Sequence, residues 1–339
     1  MIVDAIRLVV DGTDLSAEQA REAMNEIMEG SALPSQIGAF LTALRMKGET
    51  VEEITAFAGV MRDKVRRVSP GRHAELLDTC GTGGDGSGSF NISTAAAFVA
   101  AGADVPVAKH GNRSVSSSCG SADVLRELGV NIEAPPEVVE RSLDQAGICF
   151  IFAPLFHPAM KHAIGPRREM GIRTVFNVLG PLTNPAGACC QLLGVYDEAL
   201  TDKLAGVLAG LGSRKAYVVH GHDGLDEISL AGPTTVSALK DGKVTTKNIR
   251  PEEFGFEPRP AESLKGGDAA VNAGIMRDVL GGKRSPCRDA VVLNAGAAIS
   301  AYHHEMSIED GVGLAAGSID SGKAAEKLAA LVELTKGAG

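Results

Sequence analysis

The fold is decided by the stretch Asp78-Thr-Cys-Gly-Thr-Gly-Gly-Asp-Gly-Ser-Gly-Ser-Phe-Asn-Ile-Ser-Thr94. It follows the apolar residues Leu76 and Leu77. We therefore predict a strand that runs into a glycine-rich loop and then into a helix near Asn91. Glycine lets backbone N–H groups approach a ligand with no Cβ in the way. A helix N-terminus adds unpaired N–H groups and its positive dipole end, so the stretch is typical of a phosphate-binding loop.

A second polar loop begins at Lys109. It reads Lys109-His-Gly-Asn-Arg-Ser-Val-Ser-Ser-Ser-Cys-Gly-Ser-Ala-Asp123. Lys109 and Arg113 carry full positive charge, while Asn112 and the serines are short hydrogen-bond donors suited to phosphate or ribose oxygens. Together the two loops favour an anion-binding site over a flexible surface loop.

Two common nucleotide-binding motifs fit this sequence poorly. Gly81-x-Gly83-x-x-Gly86 matches the dinucleotide fingerprint, but that pattern alone is weak. Asp85 places a carboxylate inside the turn, where it repels a bare pyrophosphate unless a ribose hydroxyl or a cation intervenes. The P-loop pattern fails because no Gly-Lys-Ser or Gly-Lys-Thr follows the glycines. The sequence therefore argues against both loops.

Composition limits the possible partners. The chain has 339 residues, 44% of them hydrophobic, and a formal net charge of -9. Its length predicts one large domain with a smaller companion. The acidic charge gives no electrostatic basis for a nucleic-acid or membrane partner. The N-terminus lacks a basic signal-like region, and the longest apolar run, Ala95 to Ala103, is too short to span a bilayer. We expect a cytoplasmic protein.

The six cysteines show no C-x-x-C pair, which argues against zinc and against a disulfide framework.

The pattern of elements changes near residue 70. Residues 2–66 predict helices only, with helix starts at Ser16-x-x-Gln19, at Pro34 and at Thr50-x-x-Glu53. From residue 73 short β-branched runs alternate with helices, which predicts a mostly parallel sheet between helical layers. The expected strands are Leu76 to Cys80, Val105 to Ala108, Ile148 to Ala153, Gln191 to Tyr196 and Ala216 to His220. The expected helices are Ser93 to Ala103, Ser121 to Leu128, Pro136 to Gln145, Ala199 to Leu211, Asp268 to Leu280, Asp289 to His303 and Ser321 to Leu334. Asp241-Gly242 predicts a hairpin turn.

These motifs resemble the anthranilate phosphoribosyltransferase family. The matching residues are Gly81-Thr-Gly-Gly-Asp85, Asn91-Ile-Ser-Thr94, Lys109 to Ser117, Gly120-Ser-Ala-Asp123, Gly171-Ile-Arg-Thr-Val-Phe-Asn177, Gly180-Pro-Leu-Thr-Asn-Pro185 and Asp226-Glu227. The resemblance implies an α/β fold of the nucleoside phosphorylase/phosphoribosyltransferase type. A small N-terminal all-helical domain, residues 1–66 joined by helices from about 157–185, would accompany a large α/β domain, residues 73–339, with a mostly parallel central sheet. It also implies a homodimer formed through the helical domain.

The resemblance further implies transfer of the phosphoribosyl group from 5-phosphoribosyl 1-pyrophosphate (PRPP) to anthranilate, in tryptophan biosynthesis, with Mg²⁺ and two ions per monomer. The residues that match PRPP contacts are Gly81, Gly84, Asp85, Ser89, Asn91, Ile92, Ser93, Thr94, Lys109, His110, Gly111, Asn112, Arg113, Ser114, Val115, Ser116, Ser117 and Ser121. Gly81, Asn112 and Arg167 match anthranilate contacts, and Ser93, Asp226 and Glu227 match metal ligands. His110 is a positioning candidate. No protein nucleophile is implied, because the amine of anthranilate attacks. One departure is Ser118-Cys119, where the family often has Lys-Ser.

Alternatives remain open from the residues themselves. An Asp-Glu pair such as Asp226-Glu227 is more often a solvated surface, and Arg167 could belong to a basic helix face. His157 and His162 are five residues apart, which does not place them on one helical face as a metal pair. At the level of function, a pyrimidine nucleoside phosphorylase-like enzyme and a non-catalytic nucleic-acid-binding relative are the competing hypotheses.

Overall fold

The computed structural model describes residues 1–114 and 119–337, so the predicted positions 115–118 lie outside the described residues. The N-terminal part is helical, as predicted. Its helices are α1 (Ile2–Val10), α2 (Ala17–Glu29), α3 (Pro34–Lys47) and α4 (Val51–Asp63). The hydroxyls of Ser16 and Thr50 accept hydrogen bonds from the backbone N–H groups of Gln19 and Glu53, which confirms both predicted capping boxes.

One sheet forms the centre of the rest of the chain. Its strands are β1 (Leu77–Gly81), β2 (Val107–Gly111), β3 (Ile148–Phe152), β4 (Cys190–Gly194), β5 (Lys215–Gly221), β6 (Thr234–Lys240) and β7 (Lys243–Ile249). Within the described chain the strand order is β3-β2-β1-β4-β5-β6-β7. Strands β1 to β5 are parallel, and β6 and β7 are antiparallel. The mostly parallel sheet is therefore confirmed.

The order of the strands locates a ligand site. From β1 the chain proceeds to β2 and β3 on one side, then returns to β4 on the other side of β1. In open α/β sheets ligands bind at the carboxyl ends of the strands, where the order reverses. The glycine-rich loop leaves β1 at this point.

The edge strand β7 is exposed and carries charged side chains. The predicted hairpin joins β6 to β7 through Asp241 and Gly242, which have φ values of 52° and 73°, as a two-residue turn of this kind requires. Most of β7 is exposed, and it carries Lys243 and Lys247. Charged residues of this kind discourage further strands from pairing with an edge.

Helices cover both faces of the sheet. Between β1 and β5 they are α5 (Ile92–Gly102), α6 (Ser121–Glu127), α7 (Pro136–Ala146), α8 (Ala153–Phe156), α9 (Lys161–Met170), α10 (Phe176–Leu179) and α11 (Leu200–Gly210). After β7 follow α12 (Ala269–Leu280), α13 (Pro286–Tyr302), α14 (Ile308–Asp320) and α15 (Lys323–Thr335). The predicted elements agree with these to within a few residues, but α14 was not predicted.

The two larger apolar cores of the described chain lie on opposite sides of the sheet. On one side α5 packs against α13, α14 and α15, and every residue of α5 except Ser93 is buried. On the other side α1 to α4 share a core with α11 and with β4 and β5. Helix α9 contacts α2 and α3, so the segment between β3 and β4 returns to the N-terminal helices. Among the described residues, no helix is long and apolar enough to cross a membrane.

Candidate active site

The glycine-rich loop after β1 has backbone conformations that favour glycine. Gly83, Gly84, Gly86 and Gly88 have φ values of 64°, 75°, 75° and 66°. The loop contains the amide N–H groups of residues 84, 85 and 86, which have no acceptor within the described part of the chain. These groups are free to donate to an anion. The loop therefore has the donors that the sequence predicted for it.

The acidic pair lies directly against this loop. Asp226 Oδ2 accepts a hydrogen bond from the Gly83 N–H at 3.0 Å. Glu227 Oε1 accepts one from the Ser93 N–H at 3.0 Å, in the first turn of α5. The structure thus brings the three predicted metal ligands, Ser93, Asp226 and Glu227, to one edge of the sheet. The pair does not form a solvated surface, because Glu227 is buried and Asp226 is half-buried.

Burial and neighbouring charge together raise the pKa values of both carboxyl groups. Burial is the larger cause for each, and the charge of Asp85 adds to the increase for Asp226, as the charge of Asp226 does for Glu227. The Asp85 carboxylate also accepts a hydrogen bond from the Asp226 backbone N–H at 3.4 Å. Three carboxylates therefore meet beside the free amides of the loop.

This oxygen-rich set fits Mg²⁺. Mg²⁺ binds through one or two carboxylates and completes its shell with waters and substrate phosphates. A divalent cation would also relieve the repulsion among the Asp85, Asp226 and Glu227 carboxylates. Within residues 1–114 and 119–337, no group of three or more His, Cys, Asp or Glu side chains could hold a metal by itself. The residues fit an ion that is shared with a substrate.

Glycine at position 81 is required by the acidic pair. A Cβ built on Gly81, the last residue of β1, would lie 2.6 Å from Asp226 Oδ2. Gly194, the last residue of β4, would place a Cβ 1.6 Å from the Asp226 carbonyl oxygen. The turn that carries Asp226 therefore packs directly on the ends of two neighbouring strands.

The residues that begin α5 hold the loop from its other end. Asn91 donates through Nδ2 to the Cys119 carbonyl at 3.1 Å and accepts from Asn272 Nδ2 at 3.0 Å. Ile92 and Thr94 are buried in the first turn of α5. Ser89 accepts a hydrogen bond from Ser87 Oγ at 3.2 Å. These predicted PRPP contacts thus lie in one continuous segment next to the acidic pair.

The second loop leaves β2 beside the first. Buried Lys109 donates from Nζ to the Thr79 carbonyl of β1 at 2.5 Å. Ser121 Oγ donates to the Asn112 carbonyl at 3.2 Å, and Gly111 leaves room for that hydroxyl, since a Cβ there would lie 2.3 Å from it. Asp123, which was not among the predicted site residues, accepts from the N–H of Ser114 at 3.2 Å.

Arg113 is held by a carboxylate and an aromatic ring in this structure. It pairs with Glu133 at 3.1 Å, and its Cζ lies 5.5 Å from the centre of the Phe152 ring. Ser114 and Ser121 remain near the loop stem, while Val115, Ser116 and Ser117 fall among the residues outside the description. The described residues of the second loop therefore serve mainly to hold the loop in place.

His110 is paired with His157, which was not among the predicted site residues. Its Nε2 lies 3.1 Å from Nε2 of His157, which precedes α9. Burial lowers the pKa of His110 to about 3, with the neighbouring His157 as the next cause, and burial lowers the pKa of His157 to about 4. Both rings are therefore neutral near pH 7, with one donating and the other accepting. The expectation that His157 and His162 do not form a metal pair remains a prediction, and the structure adds that the fold, not helical spacing, places His157 beside His110.

Arg167 lies on α9 and is half-buried. Its Cζ lies 5.0 Å from the centre of the Phe176 ring. No carboxylate of residues 1–114 or 119–337 pairs with it. A half-buried guanidinium with no ion-pair partner is suited to an anionic ligand. Arg167 makes no direct hydrogen bond to the described residues of either loop, whereas Arg173, which sequence reasoning missed, donates one to Gly84.

Comparison with known proteins identifies the family of the chain. Residues 73–325 match the model of the glycosyl transferase family a/b domain, and residues 3–65 match that of its helical bundle domain. Over 348 residues the chain is 55% identical to the anthranilate phosphoribosyltransferase of Geobacter sp. (strain M21), covering 99% of each chain. The chain belongs to the anthranilate phosphoribosyltransferase family.

Solved structures of anthranilate phosphoribosyltransferases share the fold over nearly the whole chain. The crystal structure of the Thermus thermophilus enzyme superposes with a TM-score of 0.92 at 43% identity, covering 98% of this chain and 99% of that one. The Saccharomyces cerevisiae enzyme in complex with PRPP and Mg superposes with a TM-score of 0.89 at 29% identity, covering 98% and 97%. The fold and family predicted from the sequence are thus confirmed.

Proposed function

We propose that the chain transfers the phosphoribosyl group of PRPP to the amine of anthranilate. The products are N-(5-phosphoribosyl)anthranilate and pyrophosphate, and the reaction belongs to tryptophan biosynthesis. The observation that carries this proposal is the contact between the glycine-rich loop and the acidic pair, through the Gly83–Asp226 and Ser93–Glu227 hydrogen bonds. One edge of the sheet therefore combines phosphate donors with metal ligands, as transfer from a diphosphate requires.

The leaving group determines what this edge must do. As the bond from C1 of the ribose to pyrophosphate breaks, negative charge grows on the diphosphate and positive charge grows on the sugar. Mg²⁺ bound by Asp226, Glu227 and Ser93 would neutralise the diphosphate. Two ions per monomer are part of the proposal. The free amides of residues 84 to 86 donate to the same oxygens, and the N-terminus of α5 adds its dipole.

The acceptor is bound from the side of the N-terminal helices. We assign the carboxylate of anthranilate to Arg167, with Gly81 and Asn112 as further contacts. His110 and His157 are neutral, which fits a role in positioning an uncharged aromatic amine. A weakly basic aromatic amine attacks through its own lone pair, so no protein nucleophile is needed.

The proposal includes the arrangement of domains and chains. Residues 1–66, with the helices of about 157–185, form the helical domain, and residues 73–339 form the α/β domain, with the substrates meeting between them. Closure of that cleft would exclude water from the activated sugar. Exposed apolar side chains on α1 and α3, among them Val3, Val10 and Met46, support a homodimer through the helical domain. We expect the enzyme in the cytoplasm.

A fluorescence assay tests the proposal directly. Anthranilate emission is expected to fall when purified protein, PRPP and Mg²⁺ are all present, with pyrophosphate released in equal amount. Omitting Mg²⁺ or PRPP should leave the emission constant. Phosphate-dependent cleavage of pyrimidine nucleosides, with no loss of anthranilate, would instead favour the nucleoside phosphorylase alternative. A salt-dependent gel shift without turnover would favour the nucleic-acid-binding alternative.

A further inference from the structure

Arg173 connects the glycine-rich loop to the segment between α9 and α10. Its guanidinium Nη2 donates a hydrogen bond to the carbonyl of Gly84. Its Cζ also lies 4.2 Å from the centre of the Tyr196 ring. The side chain is exposed, and no carboxylate of residues 1–114 or 119–337 pairs with it. Its contacts are therefore with the loop and with Tyr196.

Tyr196 belongs to a second attachment of the same loop. The Tyr196 backbone N–H donates to Thr82 Oγ1 at 3.1 Å, and the Thr82 N–H donates to the Gly194 carbonyl at the end of β4 at 2.9 Å. The first residues of the loop are thus tied to β4. Two residues later, Arg173 bridges Gly84 to the Tyr196 ring. The loop is held at both points against one short segment of chain.

We propose that Arg173 is a positioning residue, which holds the glycine-rich loop in the conformation that receives the diphosphate of the donor. The inference rests on the proposed function and extends it to a residue outside the predicted site. Glycines at positive φ leave the loop many alternative conformations, so an external attachment is needed to select one. A planar guanidinium can stack on an aromatic ring and still donate in its own plane, whereas a lysine ammonium cannot do both with the same geometry.

The attachment also lies between the two substrate sites. Arg167, the proposed acceptor cation, is six residues before Arg173, and its guanidinium lies over Phe176, three residues after it. The segment 167–176 therefore carries the proposed acceptor cation and its aromatic partner at its two ends, and the contact with the donor loop between them. Loss of Arg173 should affect the donor more than the acceptor, because its hydrogen bond is to the loop alone.

The test uses the full-length Arg173→Ala, Arg173→Lys and Tyr196→Leu variants, with Arg168→Ala as the matched control. Arg168 is an exposed arginine on α9 with no ion pair to the described residues. We expect Arg173→Ala to raise the KM for PRPP about tenfold and to change kcat and the KM for anthranilate less than about threefold. Arg173→Lys should recover part of the loss, and Arg168→Ala should match wild type.

A second measurement does not depend on turnover. Hydrogen exchange of the peptide covering residues 81–88 should be faster in Arg173→Ala and in Tyr196→Leu, since both lose the attachment. Unchanged exchange in both variants would overturn the inference. So would a Tyr196→Leu variant with the wild-type KM for PRPP, because that result means that Arg173 contacts the donor directly. If wild type itself fails to turn over anthranilate, the proposed function fails, while the exchange result still decides the role of the attachment. Thermal unfolding checks that each variant folds. If Arg173→Ala does not fold, the same measurements are made on Arg173→Lys.

Discussion

Glu227, which is buried, and Asp226, which is half-buried, each accept a backbone hydrogen bond from a phosphate-binding element. We expect the double variant Asp226→Asn/Glu227→Gln to lose Mg²⁺-dependent turnover by at least about a hundredfold, because the amides keep the shape but remove the charge that holds the cation. Steady-state rates measured across a Mg²⁺ titration test this, with circular dichroism to confirm folding. Asp223→Asn, in the same turn, is the control. Unchanged rates in the double variant would refute the metal assignment.

Arg167 makes a separate prediction about the acceptor. Arg167→Ala should raise the KM for anthranilate about tenfold or more and leave the KM for PRPP nearly unchanged, because the guanidinium is assigned to the acceptor carboxylate. Initial rates with each substrate varied in turn measure the two constants. Arg168→Ala on the same helix controls for general loss of charge. Equal effects on both constants would contradict the assignment.

The His110–His157 pair predicts how stability depends on pH. Both folded pKa values lie below the ordinary value of 6.5, at about 3 and about 4. At these two rings the unfolded chain therefore binds more protons than the folded one between these values and 6.5, so the contribution of the pair to stability falls as the pH falls through this range. Full protonation of His157 alone would cost about 3 kcal/mol. Urea unfolding of wild type and of His157→Gln at pH 7 and pH 4.5 isolates its contribution, because the Asp226 and Glu227 carboxyls, whose raised pKa values act in the opposite direction, are common to both chains. The loss of stability in acid should be smaller in His157→Gln. The same acid loss in that variant would count against the pairing.

Some of these residues could be found from the sequence and others could not. Ser93, Asp226 and Glu227 were named from the family resemblance, since the acidic pair alone looks like a solvated surface. His157 and Arg173 acquire their partners, His110 and Gly84, only when segments far apart in the chain meet. No periodicity or spacing within either segment signals such a contact.

At the scale of single elements, Gly81 at the end of β1 packs so closely against Asp226 that its substitution by alanine tests the contact. In Gly81→Ala the new Cβ would lie 2.6 Å from Asp226 Oδ2, so the carboxylate must move. We expect a several-fold higher Mg²⁺ concentration at half-maximal rate, because a displaced ligand binds the cation less well. Gly274→Ala in α12 has open space around its Cβ and is the control. It should stabilise the chain by about 0.5–1 kcal/mol, judged by urea unfolding. An unchanged Mg²⁺ dependence in Gly81→Ala would contradict the close contact.

The elements themselves were largely predictable. Short β-branched runs marked the parallel strands, and Asp241-Gly242 marked the hairpin, since both signals are local. Helix α14 was missed because three glycines within it, Gly311, Gly313 and Gly317, weaken the local helix signal. Its position depends on close packing against α13, where a Cβ on Gly311 would lie 2.1 Å from the Gly296 carbonyl oxygen. That contact between two helices has no signature within either one.

At the scale of the whole molecule, the apolar surface of the N-terminal helices predicts the assembly. Val10 is 66% exposed and Met46 is 84% exposed, and such side chains on neighbouring helices are suited to burial between two chains. We expect Val10→Asp/Met46→Glu to shift a dimer to a monomer in analytical ultracentrifugation. Leu314→Glu, on α14 and 42% exposed, is the matched control and should stay dimeric. A double variant that sediments like wild type would place the interface elsewhere.

The lysines on the edge strand β7 limit how molecules of this protein can assemble. Because Lys243 and Lys247 line β7, a neighbouring molecule gains little by docking its own backbone there, and end-to-end polymers through sheets are disfavoured. The opposite border, β3, is wholly buried and packed by α7. Because neither edge strand readily pairs with a strand of another molecule, two chains joined through their helices would form a closed dimer. The catalytic clefts of both chains would stay open to diffusing metabolites.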